Sequence, residues 1–211
     1  MEHPAGERKA LLRFWYLLVG ILLVAVAFKM VFIGTFLEAV LWAPIAEESL
    51  KFGYVVLSVA AVRKLGGLDG DWRKTAGAAF GMALFIGLVF GLGEHYTTYP
   101  SEHRFYLLLR LAAHPTYTAS AVAVALLACR RGWTGSFVWG IAAGAAIHGF
   151  FNGSDHVGLT GVNQALVPLV AWSPLLLAMG RVSRWREGPP RFTALLELPR
   201  IRKRRPSPGS A

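Results

Sequence analysis

The sequence predicts an all-α protein: a polytopic membrane bundle of about six transmembrane helices, followed by a short basic cytoplasmic tail. Three observations predict it. The 211 residues are 55% hydrophobic, with mean hydropathy +0.46, which is too apolar for a domain whose whole surface meets water. Apolar stretches of about 17–25 residues, long enough to cross a bilayer, recur along the chain. The basic residues fall on alternate connections, as the positive-inside rule requires.

The first apolar stretch, roughly 14–35, follows Arg8, Lys9 and Arg13. Its Ala25-Val26-Ala27 imitates a signal-peptide cleavage site, but the apolar character continues to Phe36 and favours a retained helix. The second stretch, roughly 36–62, nearly merges with the first, and Thr35 and Glu38 mark the boundary. The third covers roughly 75–93, the fourth 105–128 and the fifth 134–152. The sixth, roughly 162–180, contributes no charged group. Residues 1–180 read as one transmembrane domain and 181–211 as a basic, flexible tail. With no soluble domain between the stretches, any chemistry belongs within the bilayer or at its edge.

With the N-terminus in the cytoplasm, 18 of the 22 Lys and Arg residues fall on inside segments, and only Lys29 and Arg104 on outside connections. Six crossings place both termini inside. The formal net charge is +10, and the tail alone holds nine Lys/Arg against two Glu. A basic stretch can bind nucleic acid. This one follows a membrane helix, so anionic lipid is the expected partner and nucleic acid is not. Phe14, Trp15, Tyr16, Trp72, Trp133 and Trp185 inside, with Tyr96, Tyr99 and Tyr106 outside, read as interface anchors. The single cysteine, Cys129, excludes a disulfide framework and is expected to be a small buried residue.

Glycines repeat at four-residue spacing: Gly77 and Gly81, Gly87 and Gly91, Gly140 and Gly144. That spacing lets helix backbones approach closely in a membrane. On the fifth helix the stripe continues through His148 and Asn152, so a packing groove ends in two polar groups facing a neighbour.

The membrane segments carry Glu47, Glu48, Lys51, Glu94, Arg110, His114, His148 and Asn152. A charge at the bilayer centre costs at least about 2.5–3.5 kcal/mol, so such groups face the protein interior and mark function. Counted from the helix ends, all fall in the outer half of the membrane, where helices two to five can converge on one cavity. Each group also has a structural reading. Glu47 and Lys51 are a stabilising i, i+4 pair, which leaves Glu48 without a local partner. A lone His114 or His148 can serve as an interhelical hydrogen bond. Arg110 either snorkels outward or pairs with Glu94. Pro44 and Pro115 loosen the backbone beside the polar groups.

Taken together the groups suit hydrolysis. A buried carboxylate can take a proton from water and return it to a leaving amine. A His–Asn face can donate hydrogen bonds to an oxyanion.

In four places the chain resembles the PrsW-type intramembrane proteases, glutamic peptidases in the superfamily that includes the type II CAAX prenyl proteases. They are Glu47-Glu48-Ser49-Leu50-Lys51, Phe90 to Glu94, Arg110 with His114-Pro115 and Thr118, and His148 to Asn152. The four occur in family order and span about residues 36–155. The resemblance implies a cofactor-free, metal-independent endopeptidase of a prokaryotic cytoplasmic membrane, cutting membrane-anchored protein substrates in regulated proteolysis. The chain departs from the pattern after Glu94, where His95 stands in place of an expected Asn. The reading makes Glu47 the base, because Lys51 aligns with it, and Glu48 the second, proton-sharing carboxylate. His114 assists the base, and His148 with Asn152 stabilises the oxyanion. Lys51, Glu94 and Arg110 support them. Two other readings compete. One is a zinc hydrolase using His114, His148 and one Glu, although no HExxH is present. The other is a non-catalytic scaffold or a transporter, although no inverted repeat is visible.

Overall fold

The computed structural model describes residues 5–65, 68, 71–98, 104–131, 135–154, 158 and 162–189. Among them the chain is all-α, with six helices: α1 (Ala5–Val31), α2 (Ala43–Lys64), α3 (Trp72–Thr98), α4 (Arg104–Arg130), α5 (Ser136–Ser154) and α6 (Val162–Val182). Helices α3 to α6 begin and end within about five residues of the expected apolar stretches, whereas α1 begins earlier and α2 later than expected. The uncertain boundary between the first two resolves into a turn and a short π-helix, Glu38–Trp42, which runs into α2. Gly34 has φ +75° in that turn, a conformation only glycine adopts freely. Thr35 then caps the new start, accepting a hydrogen bond from the Glu38 amide at 3.2 Å. Most of the basic tail, residues 190–211, lies outside the described residues, as do Tyr99 and Trp133.

Three helices among the described residues are long and apolar enough to cross a membrane: Trp72–Thr97, Phe105–Arg130 and Gln164–Val182. That is fewer than the six expected. The reason lies in the residues that make the chain interesting. Helix α2 carries Glu47, Glu48 and Lys51, three charged groups within one span, and α5, 19 residues long, carries His148 and Asn152. The apolar part of α1, Trp15–Val31, is shorter.

Helix α4 is the hub. Its apolar window is 78% buried, against 33% for α3 and 17% for α6. Small residues bring its neighbours close. A Cβ at Gly87 of α3 would fall 2.5 Å from the Pro115 Cα, and one at Gly91 would fall 2.8 Å from the Arg110 carbonyl oxygen. Gly144 of α5 fits equally tightly against the Tyr117 carbonyl. The expected pair Gly77 and Gly81 behaves differently: both are exposed and no neighbour approaches them, so they do not form a packing seam.

The larger apolar core holds Val55, Val56 and Val59 of α2, Ala79 and Phe80 of α3, and Val122 and Leu126 of α4. A second, smaller cluster of Leu109, Ala113, Tyr117 and Phe151 lies nearer the polar groups. Trp72 is not the interface anchor expected. It is buried, stacks on Trp185 with ring centroids 6.3 Å apart, and donates to the Val182 carbonyl, tying the start of α3 to the end of α6. Cys129 is buried as expected, 2.8 Å from the Ser136 hydroxyl.

Candidate active site

Seven of the eight polar residues singled out above meet in one cluster between α2, α3, α4 and α5. Its centre is the ammonium of Lys51, which is 0% exposed. Lys51 Nζ donates to Glu48 Oε1 at 2.7 Å and to His114 Nδ1 at 3.0 Å. Glu47 Oε2 is farther from it, at 3.6 Å. The ring of Phe90 faces the same ammonium, its centroid 5.1 Å away. The i, i+4 pairing expected of Glu47 and Lys51 is therefore the weaker one. Glu48, expected to lack a local partner, is the better bonded: besides Lys51 it takes the Nδ1–H of His148 at 3.1 Å and the Thr118 hydroxyl at 3.3 Å. The helix alone does not make the choice, since residues three and four before Lys51 lie about 60° and 40° from it around the axis; the packing of α4 and α5 against α2 encloses Glu48 and leaves Glu47 toward the rim.

The network fixes the histidine tautomers. His114 accepts from Lys51 at Nδ1, so its Nε2 carries the proton it donates to Glu94 Oε2 at 2.8 Å. Arg110 Nη1 donates to the same Glu94 oxygen at 2.8 Å, which settles the Arg110 alternatives in favour of pairing. His148 donates Nδ1–H to Glu48, and its Nε2 looks toward Glu47 Oε2 across 4.0 Å. That gap is too long for a hydrogen bond and suits one bridging water. Exposure follows the same division. The side chains of Glu48, Lys51, His114 and His148 are at most 2% exposed, whereas Glu47 keeps 27% and Glu94 22%. The cluster thus opens at its two outer carboxylates. With neutral histidines, three carboxylates face two fixed cations, so one further proton within the cluster balances it.

Asn152 is placed elsewhere. Its side-chain amide donates to the Ala39 carbonyl at 3.0 Å, in the π-helix. The sequence explains why a donor is needed there. Within that helix the Ala43 amide bonds the Glu38 carbonyl, five residues back. In the same register the next amide, at residue 44, would bond Ala39, but residue 44 is proline and has no N–H. Asn152 supplies the missing donor. Gly149, one turn earlier, lets the Val40 carbonyl approach so closely that any Cβ there would collide with it. His148 thus bonds a carboxylate of the cluster, while Asn152 donates to the backbone that leads into α2.

Sequence reasoning missed Tyr117. It is fully buried, stacked on His148 with centroids 4.6 Å apart and planes 16° from parallel, and tilted against His114 at 5.4 Å. The signal was present: Tyr117 follows His114 by three residues, on the same helix face, and lies in a helix interior rather than at its end.

Among the described residues, one group could hold a metal ion. Ligand atoms of Glu47, His114 and His148 lie within 4.8 Å of one another. Against that, both ring nitrogens of His114 already have partners, one of them the Lys51 ammonium. A metal there would sit beside a fixed positive charge, which occupies the cation position of the cluster. An apolar groove of about 890 Å³ between α4, α5 and α6 holds none of the charged residues; Ser120 lies among its lining side chains.

Comparison of the chain with protein-family models, with curated proteins and with solved structures finds no match.

Proposed function

We propose that the protein is an intramembrane endopeptidase of the glutamic type, hydrolysing peptide bonds of membrane-anchored proteins with water activated by Glu47. The observation that carries the reading is the relation of Glu47 to His148: a partly exposed carboxylate facing an available imidazole nitrogen across 4.0 Å, at one of the two carboxylates where the charge cluster opens. Water held between them gives a proton to Glu47 as its oxygen attacks the carbonyl carbon. The C=O π electrons move onto the oxygen. When the tetrahedral intermediate collapses, the C–N bond breaks and Glu47 returns the proton to the leaving amine. Glu48 and Lys51 orient His148 and set the local charge, and Glu94 with Arg110 holds His114 against Lys51. On this reading all six helices cross a prokaryotic cytoplasmic membrane with both termini inside, and the basic tail rests on anionic lipid.

Purified protein in vesicles, incubated with a pooled set of synthetic single-span peptides, tests the function. Mass spectrometry should find internal cleavage in the outer half of the spans. Intact peptides throughout would contradict it.

A second reading has its own observation. The Glu47, His114 and His148 ligand atoms are close enough to converge on zinc, which would activate the same water. Metal analysis of the purified protein and sensitivity of cleavage to chelators separate the two.

A further inference from the structure

We infer that the hydroxyl of Tyr117 is the oxyanion donor of this site, a direct catalytic role for a residue outside the four motifs. The inference rests on the endopeptidase reading and adds to it. Peptide hydrolysis through a tetrahedral intermediate needs a hydrogen-bond donor that is free in the resting state and aimed where negative charge develops. The cluster leaves few candidates. His148 uses its Nδ1–H on Glu48, and Nε2 is then an acceptor for water. His114 uses its N–H on Glu94. Lys51 is engaged by Glu48 and His114, with Glu47 beyond. Asn152 commits one of its two amide N–H groups to Ala39, in the π-helix.

Tyr117 differs from all of these. Its side chain is 0% exposed, and its hydroxyl has no hydrogen-bond partner among the described residues. A buried hydroxyl without a partner is a net cost to folding, so its presence calls for a ligand or a water. The ring is confined by packed neighbours. It stacks on His148, and Phe151 packs against it at 6.0 Å, with Leu109 and Ala113 completing the apolar clamp. The hydroxyl therefore has little freedom to reorganise. The Tyr117 ring also lies against both histidines of the cluster, His148 and His114. A tyrosine O–H, unlike a charged donor, can wait there without adding to the charge of the cluster.

In the step, Tyr117 keeps its proton. Its O–H donates a hydrogen bond to the carbonyl oxygen, and that bond shortens as the oxygen becomes negative. Water attacks from the Glu47 side. No electron pair or proton leaves Tyr117, so the balance of the reaction is that given above.

Tyr117→Phe removes the hydroxyl and keeps the ring. The test compares wild type and Y117F on the single-span peptide cleaved fastest by the wild type, in vesicles containing phosphatidylglycerol. The expected result is a fall in kcat of about 10²-fold, with KM little changed and the thermal midpoint unchanged or raised. Wild-type kcat in Y117F overturns the Tyr117 assignment and leaves the Glu47 reading intact. A lowered thermal midpoint in Y117F also overturns it, because the hydroxyl would then be serving the fold. If the wild type cleaves no peptide, the endopeptidase reading falls and the Tyr117 assignment falls with it.

Discussion

The ammonium of Lys51 lies 2.7 Å from the carboxylate of Glu48, and neither side chain reaches solvent. This pair organises the site. It turns Glu48 into the anchor of His148, holds Nδ1 of His114, and leaves Glu47 as the carboxylate with room to change partners. A buried ion pair is a poor stabiliser compared with apolar packing, but removing one member is costly because the other is left buried and uncompensated.

Lys51→Met should therefore destabilise the protein by about 3–5 kcal/mol and abolish cleavage. The double variant Lys51→Met with Glu48→Gln should recover part of the stability, since no buried charge is then left alone, but not the activity. Thermal unfolding of the two single variants and the double variant measures the coupling. Additive effects would mean that the pair is not the organising contact.

Asn152→Ala should cost about 1–3 kcal/mol by leaving the Ala39 carbonyl without its donor. Pro44→Ala restores a backbone N–H at the position whose absence Asn152 repairs. The double variant should accordingly be more stable than Asn152→Ala alone. Activity should follow stability in this series if Asn152 acts through the π-helix that leads into α2, whose Ala39 carbonyl it bonds. A loss of kcat in Asn152→Ala that Pro44→Ala leaves untouched would point instead to a direct catalytic role.

Glu94 accepts from both Arg110 and His114 on one oxygen. Glu94→Gln removes the charge while keeping the shape, and should lower kcat by up to about 10²-fold through a displaced His114, with a smaller loss of stability because the side chain is partly exposed. The kinetic constants of E94Q check this, and an unchanged kcat would make Glu94 a structural partner only.

Chelator treatment should leave cleavage intact, because the Lys51 ammonium already occupies the cation position beside His114. Loss of activity on chelation, restored by zinc alone, would favour the metal reading.

Much of the fold was legible because it is written in long apolar runs and their charged ends. The site was legible as a set of residues, since charges in apolar helices are few and cannot be ignored. Their pairing was less so. Sequence spacing offers Lys51 both Glu47 and Glu48, and only the packing of α4 and α5 against α2 decides between them. The role of Asn152 depended on a π-helix whose register no periodicity reveals, although Pro44 announced a missing N–H. Tyr117 escaped notice because an aromatic in a membrane helix reads first as apolar filling, and its hydroxyl matters only once His148 is seen stacked on its ring. The same charged residues that fill the cluster also keep α2 from reading as a purely apolar crossing.

The central claim is that Glu47, not Glu48, activates water. The most direct measurement is the cleavage rate of Glu47→Gln and Glu48→Gln, each alongside its thermal midpoint. Glu47→Gln should lose about 10²–10⁴ of the rate at nearly wild-type stability, whereas Glu48→Gln should lose stability together with activity. Wild-type rates in a folded Glu47→Gln protein would contradict the account.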